Sequence, residues 1–322
     1  MTKRQSIEHF ERTLRDICSK NIPFGGKFVV FGGDFRQVLP VIPKSTLREA
    51  INASLVMSPL WPTLEKFKLT INMRAINDPC FSDFVLNVGE GCPPYENGKD
   101  ITLPRTIVIN SSQHLSLLHR LIEAIYPNVD DINFNSLITT RKAILTPKND
   151  DTKAINSILV SRQRGEAFEY KSFDEAIDIT TEQYPIELMN TLNPGRLPPH
   201  HLVLKKNSPI ILLRNLDPTF GLCNGTRLIC KAFSRNIIDA KIVVGHHKGE
   251  RVFIPRIPLQ PSPADKFPFN FKRKQFSIKL SFVMTINKAH GQILDKLGIY
   301  LPQPVFFTWS AICCPLSSKK KF

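Results

Sequence analysis

Acidic residues are missing from two long stretches of this 322-residue chain: none lies between Arg196 and Arg214, and none between Lys266 and Lys288. Other absences narrow the reading further. No apolar run approaches the roughly 20 residues that cross a bilayer as a helix, and the N-terminus has no apolar signal core. A soluble nuclear or cytosolic chain, without a membrane partner, is therefore expected. The seven cysteines (18, 80, 92, 223, 230, 313 and 314) show no C-x-x-C spacing and are odd in number. That pattern argues against zinc or a disulfide framework and for reduced, buried thiols. No G-x-x-x-x-G-K-[ST] occurs; Gly25-Gly26-Lys27 and Gly98-Lys99 lack both the upstream glycine and the following hydroxyl residue. The amide cradle, lysine and metal-binding hydroxyl that grip a nucleoside triphosphate are thus missing, which removes the main support for tight binding of one. Internal repeats and low-complexity tracts are absent too.

What is present is basic and partly aromatic. The net charge is +15 with 42% apolar residues, enough for a large core and two or three domains. The acid-free stretch Lys266–Lys288 holds six lysines or arginines and five phenylalanines (267, 269, 271, 276 and 282). Cations neutralise phosphates and rings stack on bases, so a polyanionic partner is expected. The ordinary alternative is that the rings are core and the lysines solvated.

The coarse pattern is α/β. Residues 6–19 read as an amphipathic helix with Ile7, Phe10, Leu14 and Ile17 on one face. Lys27–Phe31 reads as a buried strand of a parallel sheet, and 78–89 as a helix. Ser112 is placed to cap a helix carrying Leu115, Leu118, Leu121, Ile122 and Ile125, stopped by Pro127. Ala143–Thr146 is a second buried strand, and Asn149 or Asp150 would cap the helix after it, with Ile155, Ile158 and Leu159 inward. Beyond about residue 163 the grammar changes. Leu202–Leu204, Ile210–Arg214, Thr226–Lys231, Ala240–Val244 and Arg251–Ile254 are short, turn-separated strands, the last two joined by His-His-Lys-Gly. They suggest a small β-barrel inserted in an α/β domain.

Four segments suit phosphate chemistry. Gly32-Gly33-Asp34 sits at a strand end, where α/β sheets bind ligands, and Gln37 could orient water on a γ-phosphate; a tight turn with a structural glutamine explains the segment equally well. Arg74, ending the short apolar strand expected over Leu69–Met73, could serve as a finger for transferred-phosphate charge, although isolated arginines are more often surface residues. Thr146, Lys148 and Asn149 precede a helix N-terminus and could hold a backbone phosphate; locally, a plain helix cap explains Asn149 better. Thr285-Ile286-Asn287-Lys288-Ala289-His290-Gly291-Gln292 is a polar loop between apolar strands, with small residues that allow close approach.

Taken in order, these segments resemble the PIF-type (petite integration frequency) superfamily-one helicases, especially the long eukaryotic forms carried by Helitron-like transposons. The resemblance rests on Arg12–Ile17, Gly32–Pro40, Asn72-Met73-Arg74, Ile144–Asn149, Gly195–His200, Leu212–Asp217, Gly221–Leu228, Thr285–Lys288 and Gly298–Pro302. It implies an ATP-dependent 5′-to-3′ DNA helicase acting in the nucleus as a monomer on single-stranded DNA, in repair, recombination, telomere maintenance or transposition. Two RecA-like domains are implied: part of the first over 1–90, and the second over 91–195 and 265–306, with the barrel over 196–264 and an aberrant tail over 307–322. The resemblance makes Gln37 the γ-phosphate sensor and Arg74 an arginine finger. Gly33, Asp34, Lys288 and Gly291 would face the nucleotide, and Thr146, Lys148, Asn149, Thr285, Asn287 and His290 the DNA.

The departures are specific. The family's phosphate loop and Asp-Glu pair precede the helix that opens here, so a helicase lacking its first motor strands is expected. ATP and Mg²⁺ serve the intact family; tight binding by this chain is not expected, nor is a dedicated metal site. A non-enzymatic single-stranded-DNA-binding remnant is the competing reading. The family usually has glutamine where His290 stands. After Phe306 it continues Ser-His-Gly-Gln-Leu-Tyr-Val-Ala-Leu-Ser-Arg, and codons chosen for Phe307–Leu316 and read one base later give the first nine of those residues. A one-base frameshift near codon 307 is therefore expected, and genomic sequence without such a frame would exclude it.

Overall fold

The computed structural model describes residues 2–33, 42, 46–71, 73, 76, 78–90, 95–96, 100–109, 116–127, 129–130, 141–177, 185–192, 194, 197–261, 269–289, 292 and 294–302. The chain divides into two compact units, one within Met1–Leu103 and one within Pro104–Pro304. Ser112, Leu115 and the 307–322 tail lie outside the described residues.

In the first unit, α1 (Arg4–Cys18) closes on Ser19, whose left-handed backbone lets its N–H reach the Arg15 and Asp16 carbonyls. Its buried side chain is Glu11, which accepts from Arg15 Nε at 2.5 Å and from the Phe24 N–H at 3.3 Å. The expected apolar face is covered only in part: Ile7 and Leu14 are half-buried, while Phe10 and Ile17 are exposed. Gly25 has φ +61°, and a Cβ there would fall 2.5 Å from the Leu14 carbonyl, so glycine is needed where this turn meets the helix. α2 (Leu47–Asn52) starts in a capping box between Thr46 and Glu49. α3 (Pro79–Glu90) has proline at its first position and the Asp78 carboxylate accepting from the Phe81 N–H at 3.1 Å.

Two expected strands of this unit are corrected. Residues 27–31 and 69–71 form no strand, with Phe28 95% and Leu69 93% exposed. A buried strand needs hydrogen-bonding neighbours at its edges and packing on its faces. Among the described residues, the unit's strands are β1 (Tyr95–Glu96) and β2 (Asp100–Ile101), which pair only with each other.

The second unit holds three sheets among its described residues. Its parallel sheet has the order β13 (Val283–Thr285), β3 (Lys142–Thr146), β14 (Lys296–Ile299). Over it pack α4 (Leu117–Ile125), capped by Ser116 rather than Ser112, and α5 (Asn149–Arg162). Leu121, Ile122, Ile125, Ile144, Ile155, Leu159, Phe282 and Val283 form their shared core. α4 approaches β14 at Gly298, where a Cβ would come within 2.9 Å of Ile125 and Leu121. Polar pins hold the same core. Asn156 donates to the Val283 carbonyl at 2.9 Å and accepts from its N–H at 3.1 Å, and the Tyr126 hydroxyl donates to the Phe282 carbonyl at 2.7 Å.

The five short strands are present as β6 (His201–Lys205), β7 (Pro209–Leu212), β8 (Arg227–Phe233), β9 (Ile237–Ile242) and β10 (Arg251–Leu259). They do not make a closed barrel. β7 to β10 join β5 (Phe173–Ala176), β11 (Phe271–Phe276) and β12 (Ile278–Leu280) in an open sheet ordered β12-β7-β8-β9-β10-β11-β5, and β6 pairs instead with β4 (Ala167–Lys171). The reason lies in the partners: β5 and β12 come from outside 196–264 and occupy the two edges without pairing to each other. The β4–β6 ribbon then covers the sheet, burying Tyr170, Leu202 and Leu204 against Leu212, Ile254 and Phe276.

All four described phenylalanines of the 266–288 stretch are core, and Phe267 lies outside the described residues. Phe269, Phe271, Phe276 and Phe282 are buried, while Lys272 and Lys274 alternate outward on β11. Arg273, on the inward face, forms a fully buried pair with Asp174, Nη2 to Oδ2 at 2.6 Å, and also donates to the Met189, Leu192 and Pro198 carbonyls. It thereby ties β5 and β11 to α6 (Ile186–Thr191) and the segment after it.

Candidate nucleic-acid interface

The parallel sheet places two of the expected site segments side by side. Thr146 ends β3, Thr285 ends β13, and the two are register partners at the carboxyl edge of the sheet, where open α/β sheets take ligands. From Thr146 the chain turns through exposed Lys148 and Asn149 into α5; from Thr285 it turns into α7 (Ile286–Ala289), carrying exposed Asn287 and half-buried Lys288. Six of the expected residues therefore share one edge.

Their local roles differ. Thr146 is fully buried; its hydroxyl bonds the Lys148 carbonyl at 3.1 Å and shares a 2.7 Å contact with the Thr152 hydroxyl. Thr146 thus shapes the loop that presents Lys148 and Asn149. The expected cap is corrected: Lys148 is the N-cap, with no side-chain cap bond, and Asn149 is the first helical residue. The Thr152 hydroxyl also donates to the Lys148 carbonyl at 3.0 Å, so threonines close this turn. Asp150 and Asp151 already occupy the positive end of the helix dipole, and Lys148 and Asn149 are exposed in the loop before them.

The second loop is anchored by a residue that sequence reasoning left without a role. Gln292 donates from Nε2 to the Gly225 carbonyl at 3.0 Å, holding the loop against the turn between β7 and β8. Lys288 is desolvated, which lowers its amine below the usual lysine value. Lys279 on β12 was also unforeseen. Burial first, then the charges of Lys288 and Lys153, push its amine down to about 8. The only available signal was a cation between two apolar residues, Ile278 and Leu280, in a short strand.

The nucleotide-side expectations are less constrained. Gly33 is exposed in the first unit, and a Cβ there would meet open space, so no close packing requires glycine. Asp34, Gln37, Arg74, His290 and Gly291 lie outside the described residues. Among the described residues no group of three His, Cys, Asp or Glu is placed to hold a metal ion. Nor is any helix among them long and apolar enough to cross a membrane.

Comparison with known proteins gives a consistent picture. A family model described as PIF1-like helicase matches residues 1–99, and one for the 2B domain of DNA helicase Pif1 matches residues 187–233. The ATP-dependent DNA helicase PIF1 of Xenopus laevis is 22% identical over 307 residues, 94% of this chain. The chain spans only 41% of that relative's length. Among solved structures, Bacteroides Pif1 bound to single-stranded DNA superposes with a TM-score of 0.65 at 18% identity, over all of this chain and 69% of that one. Bacteroides Pif1 with ADP-AlF3 and single-stranded DNA gives 0.63 at 17% identity, over 98% and 66%. The mixed α/β fold is that of the Pif1 helicase structures, which have RecA-like domains.

Proposed function

We propose that this chain, which is of the PIF1 helicase type, is the part of an ATP-dependent DNA helicase that holds single-stranded DNA. The observation that carries the reading is the Thr146–Thr285 edge. Two parallel strands end there in register, and the turns beyond them present Lys148, Asn149 and Asn287, with Lys288 half-buried beside them. Cations and amide donors at a strand end suit a phosphate backbone and carry little base information, as a translocating motor requires. His290 completes the DNA side. Gly33, Asp34, Lys288 and Gly291 serve the nucleotide, Gln37 senses the γ-phosphate and Arg74 stabilises transferred charge in the intact helicase, whose fuel is ATP with Mg²⁺; the 322 residues alone do not hold these tightly. Movement is 5′ to 3′, the chain acts as a monomer in the nucleus, and the role is in genome maintenance or transposition.

Fluorescence anisotropy with a single-stranded 20-mer and a blunt duplex of the same sequence tests the DNA assignment. Tighter binding of the single strand is expected; equal affinity, or none for either, contradicts it.

A second reading is favoured by one observation: no phosphate loop occurs in these 322 residues. By themselves they would then bind DNA without chemistry, as a remnant of a transposon helicase. Steady-state ATP hydrolysis in the presence of single-stranded DNA tests whether the 322 residues are inactive by themselves. Turnover well below about 1 s⁻¹ is expected of the 322 residues alone, and a value in the usual enzyme range contradicts this.

A further inference from the structure

The two-stranded ribbon of β4 and β6 has an open edge, and a groove runs along it. β4 pairs with β6 in antiparallel register, Lys171 opposite His201 and Ala167 opposite Lys205. The Ser172 N–H continues that ladder to the His200 carbonyl at 2.8 Å. Hydrogen-bonded pairs alternate along an antiparallel ladder, so Phe168 and Tyr170 bond inward to β6. Ala167, Glu169 and Lys171 therefore turn their N–H and C=O groups to the opposite edge. Among the described residues no other strand pairs with β4 there. The Lys171 carbonyl confirms the direction: it accepts from Nη2 of Arg256, on β10, at 2.5 Å.

Beside this edge lies a groove of about 400 Å³, lined by Phe168 to Lys171, by Phe233 and Arg235 where β8 turns toward β9, and by Arg256. Part of its lining is aromatic: half-buried Phe168 and Phe233 stack with their centroids 4.5 Å apart. The Arg256 guanidinium lies over the Tyr170 ring at 5.6 Å. The charged lining is mainly positive. Lys171, Arg235 and Arg256 face one acid, Glu169, whose carboxylate is already engaged by His201 Nε2 at 3.0 Å. We propose that the outward edge of β4 receives an extended acidic peptide of a partner protein. The peptide adds a strand to the ribbon and lays apolar side chains on Phe168 and Phe233.

An open edge offers donors and acceptors in alternation, and another peptide backbone answers both at strand spacing. A nucleic-acid strand brings phosphate acceptors but no matching row of donors, which leaves the Glu169 carbonyl unanswered. The groove is also set apart from the Thr146–Thr285 edge. α5 leaves that edge at Asn149 and runs for 14 residues, roughly 21 Å at the helical rise. β4 begins just beyond its far end, where Lys205, opposite Ala167, donates to the Gln163 carbonyl at 2.5 Å. Lys171, Arg235 and Arg256 set the preference for an acidic occupant. A second copy of this chain, itself at a net charge of +15, is disfavoured by repulsion. Nothing in this docking surface depends on where DNA binds.

The test is fluorescence anisotropy of the full chain with a labelled peptide that alternates Asp with Phe, and with a counterpart carrying Lys for Asp. Unfolding curves accompany each protein. Glu169→Pro removes only an outward N–H, because Glu169 lies in a non-bonded pair with β6 and edge strands tolerate proline there. It should weaken the acidic peptide about three- to tenfold, the share of one or two main-chain hydrogen bonds. Arg235→Glu, in an exposed turn, should weaken it too and flatten its salt dependence. Lys272→Gln, exposed on β11, should match the parent. Bound peptide should also slow hydrogen exchange at the Glu169 and Lys171 amides. A folded Glu169→Pro that binds like the parent, or unchanged exchange at those amides, overturns the edge pairing. Equal binding of the lysine peptide overturns the acidic preference, and a parent that binds neither peptide overturns the docking surface. Oligothymidylate that displaces the peptide and is itself weakened by Arg235→Glu assigns the groove to nucleic acid instead.

Discussion

A single half-buried lysine sets the sharpest chemical expectation. In the fold Lys279 titrates at about 8, whereas in the unfolded chain it should titrate near 10.4. Below pH 8 both states hold the proton and the full cost of the buried charge is present. Between about 8 and 10.4 the folded state sheds the proton first, so parent stability rises through that window. Lys279→Met should therefore be more stable than the parent at pH 7, by on the order of 1–2 kcal/mol after allowance for solvent screening. The gap should close by about pH 10.5. Urea unfolding at pH 7 and at alkaline pH checks this, and a gap that does not shrink with pH contradicts it. At this scale the sequence was legible where chemistry is local. Thr146, Lys148, Asn149 and Thr285 stand at strand ends as expected, because an apolar run followed by polar residues is a local signal. Lys279 and Asn156 were not legible, because their roles depend on which side chains other elements deliver beside them.

Elements show the same division. The five short strands could be read from runs and turns, but their pairing could not. β5 joins the sheet through β11, with Asp174 opposite Arg273 from 99 residues away. No local pattern announces that Arg273 faces inward onto an acid. The phenylalanines went to the core for a related reason: the period of two on β11 places Phe271, Arg273 and Gln275 inside and Lys272 and Lys274 outside. Because Arg273 and Asp174 are both fully buried, removing one leaves an unbalanced charge in the interior. Asp174→Ala should cost about 3–5 kcal/mol in urea denaturation, while exposed Glu175→Ala on the same strand should change stability by less than about 0.5 kcal/mol. Equal effects at the two positions would show that the pair does not hold β5 to β11.

For the whole molecule, composition pointed to a polyanion, and the proposed site would give that charge an address. The net charge of +15 would contribute a general, salt-sensitive attraction, and the proposed Thr146–Thr285 site would add particular contacts. The fold class was legible because strand–loop–helix repetition is a local grammar; the open sheet was not, because closure is decided by distant edge strands. The exposed apolar run at Phe28 was misread as a buried strand, because an apolar run signals burial only when neighbours exist to bury it. The claim that unites these observations is that the chain grips single-stranded DNA through its phosphates. Its most direct test is the dissociation constant for an oligothymidylate between about 50 and 200 mM salt. A constant that rises steeply, with a log–log slope of at least about two at roughly 0.7 per phosphate contact, is the predicted result. Affinity that does not change with salt, or no binding at the lowest salt, would contradict it.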